Sequence, residues 1–187
     1  MSRKYWIIGS IVVLGLLGVG LILALGYYPI ISVNGQIITA REFTSAFKAG
    51  MSYSKEFFSM ASSTETSEPS PLQLQAVVLD QMVENILVKQ ELASRIGADA
   101  ETLAKEKVVR YGGSKNLHEA ASRIFKIPYP DLERLLLYPE ARRELLMGRL
   151  FLEGNTYENW MKKSREQASV SVYSSEFVWA NGKIQAR

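Results

Sequence analysis

The sequence predicts a mainly α-helical domain, with one N-terminal transmembrane helix before it and a small β-sheet formed by its N- and C-terminal strands. Three observations support this fold class. An uncharged apolar run at residues 7–25 has about the length of one membrane-spanning helix, which takes roughly 20 residues. Helical periodicity and capping signals fill most of the chain that follows. An Asn-Gly pair near each end of that region indicates a tight hairpin turn.

The apolar run also sets the orientation of the chain. Arg3 and Lys4 precede the run, and no Lys or Arg follows it until Arg41. Because basic residues favour the cytoplasmic side, the N-terminus is predicted to be cytoplasmic. Aromatic residues suited to membrane interfaces bracket the run: Tyr5, Trp6, Tyr27 and Tyr28. We therefore predict a cytoplasmic N-terminus at residues 1–6, a single-pass anchor in the cell membrane at residues 7–27, and an extracytoplasmic domain, periplasmic or on the cell exterior, at residues 28–187.

A cleaved signal peptide is the alternative interpretation of the run, because Ala24 and Gly26 form a small-x-small site before Tyr27. Signal peptides usually have an apolar region of about 7–15 residues, which favours the uncleaved anchor. A buried helix of a soluble domain is disfavoured as well, because the run has no polar stripe.

Charge and cysteine content narrow the function classes. Two of the 22 Lys and Arg residues precede the run, and all 19 acidic residues follow it. The outer part therefore carries a net charge of about +1. A nucleic-acid-binding protein would need a concentrated basic patch, and we predict no nucleic-acid partner. The chain has no Cys, so disulfides and thiolate metal sites are excluded.

The first elements of the outer domain are a hairpin and a helix. Asn34-Gly35 suits a two-residue turn that needs positive φ at both positions. Thr39 and Glu42 form a capping box, and Phe43, Phe47 and Met51 then share one helical face. This helix is predicted to run to about residue 60. Residues 61–71 are small, polar and Pro-containing, which predicts a flexible loop.

The strongest helical pattern follows this loop. Pro71 suits the first turn and Gly97 the C-terminal cap. One apolar face is marked by Leu79, Val83, Ile86 and Ala93, and it is widened by Val78 and Met82. So broad a face predicts a helix packed by neighbours on more than one side.

Further helices are predicted at residues 99–111, 114–126, 131–152 and 156–168. Pro139 removes a backbone donor and should kink or split the third of these after Leu137. Residues 169–173 alternate as a strand does. Asn181-Gly182 then predicts a second hairpin turn.

Three segments of this chain resemble the N-terminal chaperone domain of the SurA, PrsA and PpiD group of bacterial extracytoplasmic folding factors. They are VNGQIITAREF, VLDQMVENILVKQELASRIGADA and the final YENWMKKSREQASVSVY, and the resemblance covers most of residues 32–173. It implies a fold in which the first and last strands pair, while long helices surround unfolded client chains. Its implied partners are unfolded or nascent exported polypeptides, with the translocon nearby.

The chain departs from this family in one respect. Full-length members usually carry parvulin prolyl isomerase modules before the last helix, with histidines in the active site. Here the last helix follows LFLEGNT directly, and there is no stretch of about a hundred residues for such a module. The single histidine, His118, lies on a predicted helix, where a surface or partly buried position is expected. Isomerase activity is therefore not carried over.

No other pattern indicates catalysis. Glu84 and Glu91 are explained by a solvated helix face, and no group of residues has metal-ligand spacing. The YGGSKN segment lacks the frame of a phosphate-binding loop. We predict a protein that is not an enzyme, with no catalytic residue, no cofactor and no metal.

Aromatic residues and Met near helix ends or loops are the candidates for client binding, because they offer adaptable contacts to many sequences. They are Tyr53, Phe57, Phe58, Met60, Tyr129, Tyr138, Phe151 and Trp160. The predicted function is an ATP-independent chaperone, a holdase, that binds exported polypeptides. The alternative is a structural subunit or adaptor docked on one membrane protein.

Overall fold

The computed structural model describes residue 20 and residues 22–60, 69–112 and 115–187. Most of the predicted anchor at residues 7–27, and residues 61–68 of the predicted loop at 61–71, lie outside the described residues. Among the residues that are described, none of the helices combines the length and the apolar character that crossing a bilayer requires.

The domain begins with the predicted hairpin. Strands β1 (Pro29–Val33) and β2 (Gln36–Thr39) are antiparallel. They are joined by Asn34 at φ 49° and Gly35 at φ 84°, so both turn residues have the positive φ that the Asn-Gly pair predicts. Strand β3 (Val170–Val172) pairs antiparallel with the other edge of β1, which gives the order β2-β1-β3. The predicted pairing of the N-terminal hairpin with the strand at residues 169–173 is confirmed, whereas the strands that follow β3 form a separate two-stranded sheet.

Helix α1 (Ala40–Met60) follows β2 without a loop. The Glu42 carboxylate accepts hydrogen bonds from the Thr39 backbone N–H at 2.9 Å and from the Thr39 hydroxyl at 2.8 Å, and the Glu42 N–H donates back to that hydroxyl at 3.3 Å. This is the predicted capping box. Phe43 and Phe47 stack with ring centroids 5.9 Å apart on the same face.

Helix α2 (Pro71–Ile96) is the central helix and packs against α1. Its first turn is capped by Ser70, whose side chain and backbone exchange hydrogen bonds with Gln73, and Gly97 at φ 66° ends it as predicted. Leu79, Val83 and Ile86 are buried as predicted.

In the last third of α2, the buried residues are not the ones that the predicted apolar face contains. Ala93 is exposed, and the core positions there are Leu87, Val88 and Leu92. Later parts of the chain contact this stretch of α2, as the ion pair between Arg95 and Glu153 shows, so burial follows the neighbours rather than the ideal repeat.

The remaining helical elements also follow the predicted order. They are α3 (Asp99–Gly112), α4 (Lys115–Ala120), a π-helical turn (Ala121–Phe125), α5 (Tyr129–Leu132), a second π-helical turn (Glu133–Leu137), α6 (Tyr138–Leu152) and α7 (Tyr157–Gln167). The kink or split expected after Leu137 takes the form of a change in hydrogen bonding, because Leu137 and Tyr138 both keep right-handed helical dihedrals and α6 follows the π-helical turn directly. The Tyr138 N–H donates to the Glu133 carbonyl, five residues back, where the chain changes from π to α bonding.

The C-terminal hairpin consists of β4 (Phe177–Ala180) and β5 (Lys183–Ala186). Asn181 at φ 53° and Gly182 at φ 72° form its turn, as the sequence predicts. Phe177 and Ile184 are buried in the main core, so this hairpin closes one side of the domain.

Four polar side chains, here called the Arg165 cluster, hold this hairpin and α7 against α2: Asp80, Glu84, Tyr157 and Arg165. The Arg165 guanidinium donates to both Asp80 oxygens at 2.9 and 3.0 Å, to Glu84 at 3.0 Å and to the Gly182 carbonyl at 2.8 Å. Asp80 also accepts the Ile184 N–H at 3.0 Å. Burial lowers the pKa of Arg165, but the bonds to Asp80 and Glu84 together raise it by more, so the Arg165 guanidinium keeps its positive charge.

The cluster corrects the interpretation of Glu84 as part of a solvated face. The Glu84 side chain is only 17% exposed, and it accepts a hydrogen bond from the Tyr157 hydroxyl at 2.8 Å. The reason is that α7 covers this stretch of α2. Glu91 is also bonded, because it pairs with Arg95 at 2.6 Å on its own helix.

Candidate functional site

An open groove of about 510 Å³ lies between β2, α1, α2 and the chain from Phe125 to Arg142. Helix α1 forms one wall with residues spaced three or four apart: Glu42, Ala46, Ala49, Gly50 and Tyr53. Helix α2 forms a second wall in the same way: Val78, Gln81, Met82, Asn85, Ile86 and Lys89. This spacing places one face of each helix toward the groove.

The two helices meet closely at Gly50. A Cβ atom at this position would lie 3.3 Å from the Val78 Cγ2 atom, so a larger residue would force the helices apart or project a side chain into the groove. Gly50 was not singled out by the sequence, because a lone glycine inside a helix carries no local signal of its packing partner.

The third wall is built where the chain is π-helical. Phe125 ends the first π-helical turn, and Glu133 to Leu136 belong to the second. A π-helical turn widens the helix and displaces the side chains that follow, and such turns are frequent at functional sites. Here both of them face one groove. Tyr138, Pro139 and Arg142 extend this wall along the start of α6.

Three of the predicted client-binding residues form one aromatic group at the end of the groove. Tyr53 stacks on Phe57 with centroids 6.2 Å apart, and Phe57 meets Phe58 edge to face at 5.6 Å. Phe125 stacks on Tyr53 at 5.5 Å, with the rings only 10° from parallel. Tyr53 is 48% exposed, and it is the member of the predicted set that both lines the groove and faces solvent. Phe125 joins the group across the groove and was missed in the sequence.

Tyr138 lines the groove as well. The Arg142 guanidinium lies over its ring, 5.5 Å from the centroid, and pairs with Glu101 of α3 at 2.7 Å. The Arg142 Nε atom is buried, and no described residue accepts a hydrogen bond from it. Tyr138 and Arg142 are one turn apart, so the arginine fixes the tyrosine ring against the groove wall.

Tyr129 lies beside the groove rather than in its lining. Its ring stacks on His118 with centroids 3.7 Å apart, and burial, followed by the neighbouring Glu133, raises the pKa of the Tyr129 hydroxyl. His118 is exposed, as expected for a histidine on a helix surface. Pro130, the residue after Tyr129, does line the groove.

The other predicted residues lie elsewhere. Phe151 is 81% exposed near the C-terminal end of α6, where it forms an apolar patch with Met147 and Leu152. Trp160 is a core residue, only 7% exposed, because α7 turns this face inward beside Tyr157. Its placement as a client contact is therefore corrected. The side chain of Met60 lies outside the described residues.

The described residues offer no cluster of metal ligands. Within these ranges, no three His, Asp or Glu side chains lie close enough together to hold a metal ion. The groove instead presents an apolar surface with polar groups of both signs at its rim, among them Glu42, Lys89 and Glu133.

Comparisons with protein-family models, with curated proteins and with solved structures found no match to this chain. The resemblance to the SurA, PrsA and PpiD group therefore stays a prediction.

Proposed function

We propose that this protein is a membrane-anchored, ATP-independent holdase that binds unfolded exported polypeptides in the groove, without prolyl isomerase activity. The observation that carries the proposal is the open apolar groove of about 510 Å³ with the exposed ring of Tyr53 at its end. Ligand sites of roughly 300–1,000 Å³ are typical of proteins that bind apolar groups. In size and lining, the groove suits a few apolar side chains of an unfolded chain.

The chemistry of the lining favours many clients over one. Met82 and the aromatic rings of Tyr53, Phe125 and Tyr138 offer contacts that adapt to different side chains. The charged residues around them have both signs, so they select no particular client charge. Such a surface binds weakly and without strict sequence preference.

The position of the groove relative to the predicted anchor supports the same proposal. The Arg41 N–H, at the start of α1, donates to the Gly26 carbonyl at 2.8 Å. The Arg41 guanidinium also lies 5.2 Å from the Tyr27 ring centroid and donates to the Tyr27 hydroxyl. The chain that follows the apolar run is thus bonded directly to a helix that forms a groove wall. With the anchor in a bilayer, clients leaving the translocon would meet the groove at high effective concentration.

The test uses the full chain in lipid nanodiscs, mixed with a chemically unfolded client protein whose aggregation is followed by light scattering. We expect the wild-type chain to suppress aggregation without nucleotide. We expect Tyr53→Ser to weaken client binding about tenfold, as the loss of a central aromatic contact commonly does. Tyr173→Ser is the matched control, because Tyr173 is 60% exposed and lies outside the groove lining. A wild-type chain that suppresses no aggregation at any ratio would contradict the proposal.

A second candidate function rests on the apolar patch of Met147, Phe151 and Leu152. In this alternative the domain is an adaptor that docks permanently on one membrane protein through that patch. Photo-crosslinking from Phe151 and Tyr138 in membranes separates the two functions. Many unrelated exported chains captured at Tyr138 support the holdase, whereas a single membrane protein captured at Phe151 in stoichiometric amount supports the adaptor.

A further inference from the structure

We propose that clients bind the groove as extended strands that pair with the free edge of β2 at Ile37. This inference rests on the proposed function and specifies the conformation of the bound segment. It predicts that the backbone of the client supplies part of the binding, whatever its side chains are.

The sheet order places β2 at an edge. In the described part of the chain, β2 pairs only with β1, and no strand pairs with its outer side. An edge strand presents unpaired backbone N–H and C=O groups that another chain can use.

The register identifies which residue offers those groups. Val33 faces Gln36 across the two-residue turn, Ser32 faces Ile37, and Ile31 faces Ile38. In such a hairpin the pair next to the turn exchanges both hydrogen bonds, and the following pair exchanges none. The N–H and C=O of Ile37 therefore point away from β1. The backbone hydrogen bonds on the opposite edge of β1 support this assignment. There the Asn34 N–H donates to the Ser169 carbonyl, and the Tyr173 N–H donates to the Ile30 carbonyl. The backbone groups of Ile31 and Val33 therefore point toward β2, and those of Ser32 point away from it.

The groove meets this strand at its edge. Gln36, Ile37 and Ile38 all line it, although neighbouring residues of a strand point to opposite faces. Three consecutive residues can border one groove only where the groove runs beside the backbone. A client strand paired with Ile37 would therefore lie along the groove, and its alternate side chains, about 7 Å apart, could enter it.

The edge lacks the features by which proteins usually block strand addition. Charged side chains, proline and bulges on the outer strand are the common protections. The β2 sequence is Gln-Ile-Ile-Thr, uncharged and without proline, and Ile37 is 53% exposed. The register shift of this hairpin lies on β1, between Pro29 and Ile31, and not on the outer strand. An amphipathic helix, the main alternative occupant of a groove, would leave the Ile37 groups unpaired, so the structure favours an extended segment.

The same geometry limits the length of the pairing. The next outward N–H along β2 is that of Thr39, and it already donates to the Glu42 carboxylate at 2.9 Å. Pairing is therefore confined to a few residues around Ile37. A short backbone contact of this kind gives weak, sequence-tolerant binding and easy release, as a holdase requires.

The experiment uses the full chain in nanodiscs and a short peptide in which Ile alternates with Ser. Ile37→Pro removes the outward N–H but no hydrogen bond to β1, and proline is tolerated at such an edge position. Ile37→Ala is the matched control, because it also loses the isoleucine side chain but keeps the N–H. We expect Ile37→Pro to bind the peptide about five- to tenfold more weakly than Ile37→Ala, the range that one hydrogen bond supplies.

Two measurements on the wild-type chain test the strand pairing without any substitution, so their results do not depend on whether Ile37→Pro folds. Hydrogen exchange at the Ile37 amide should slow when the peptide binds. A series of peptides, each N-methylated at a different residue, gives the second measurement. Methylation should weaken binding where the N–H faces β2 and have little effect at the neighbouring residues, so the loss of affinity should alternate along the peptide.

The outcomes separate this inference from the proposed function. If the wild-type chain suppresses client aggregation but Ile37 exchange is unchanged and N-methylation has no alternating effect, the strand pairing is wrong and the holdase function stands. If the wild-type chain binds neither the peptide nor unfolded clients, both proposals are overturned.

Discussion

At the scale of single residues, Tyr157 gives the domain a measurable response to alkaline pH. Burial and the hydrogen bond to Glu84 raise the pKa of its hydroxyl above the ordinary value near 10. As pH rises above about 10, the unfolded chain therefore loses this proton while the folded chain keeps it. The unfolded state then binds fewer protons, so the free energy of unfolding falls with rising pH.

We expect Tyr157→Phe to reduce this alkaline loss of stability, while burial of Tyr111 and Tyr129, which also raises their pKa values, leaves part of it in place. The measurement is chemical unfolding at a series of pH values between about 8 and 11. Tyr173→Phe is the control and should keep the wild-type slope, since the Tyr173 ring is 60% exposed and lies outside the Arg165 cluster. Equal slopes for Tyr157→Phe and the wild type would show that Tyr157 is not the responsible group.

Single residues also show what the sequence can and cannot reveal. The positive φ of Asn34, Gly35, Asn181 and Gly182 was predictable, because it depends on the residue and its immediate neighbours. The burial of Trp160 and the bonding of Glu84 were not, because both depend on elements distant in the chain.

At the scale of elements, Arg165 joins α7 to α2 and to the C-terminal hairpin. We expect Arg165→Met to lower the free energy of unfolding by about 3 kcal/mol, because it leaves Asp80 and Glu84 poorly solvated without their cation. Denaturant titration measures this change.

Arg123→Met is the control for that substitution. Arg123 pairs with Glu119 at 2.7 Å on the surface, and removing an exposed pair should change stability by no more than about 0.5 kcal/mol. Equal effects of the two substitutions would mean that the Arg165 cluster contributes no more than a surface ion pair.

Helix existence and order were predictable from periodicity and caps, and Pro139 indicated where α6 begins. The two π-helical turns were not predictable. The wider hydrogen-bond pattern at Ala121–Phe125 and Glu133–Leu137 has no residue signature of its own, and packing against the rest of the domain selects it. The third wall of the groove could therefore not be predicted from the sequence, although Tyr53 and Tyr138 were predicted as client-binding residues.

At the scale of the whole molecule, the last residues complete the fold. We expect a chain ending at Ala168 to lose cooperative unfolding, because it lacks β3 and the buried side chains of Phe177 and Ile184. Those two side chains alone contribute roughly 3–6 kcal/mol, against a total stability of about 5–15 kcal/mol for a typical domain.

Denaturant titration followed by circular dichroism tests this expectation. A synthetic peptide of residues 169–187, added to the shortened chain, should restore a cooperative transition if the missing contacts are the cause. A shortened chain that unfolds cooperatively at the wild-type denaturant concentration would show that the C-terminal strands are dispensable.

The pairing of Ile31 with Val172 also has a consequence for the order of events during biosynthesis. The β1–β2 hairpin and α1 can form early, because their contacts are local, but the second edge of β1 stays unpaired until β3, which follows all of the helices from α1 to α7, has been made. Until then both edges of the nascent hairpin are open. A protein proposed to shelter incomplete chains is thus itself incomplete, with an unpaired strand, until β3 has been made.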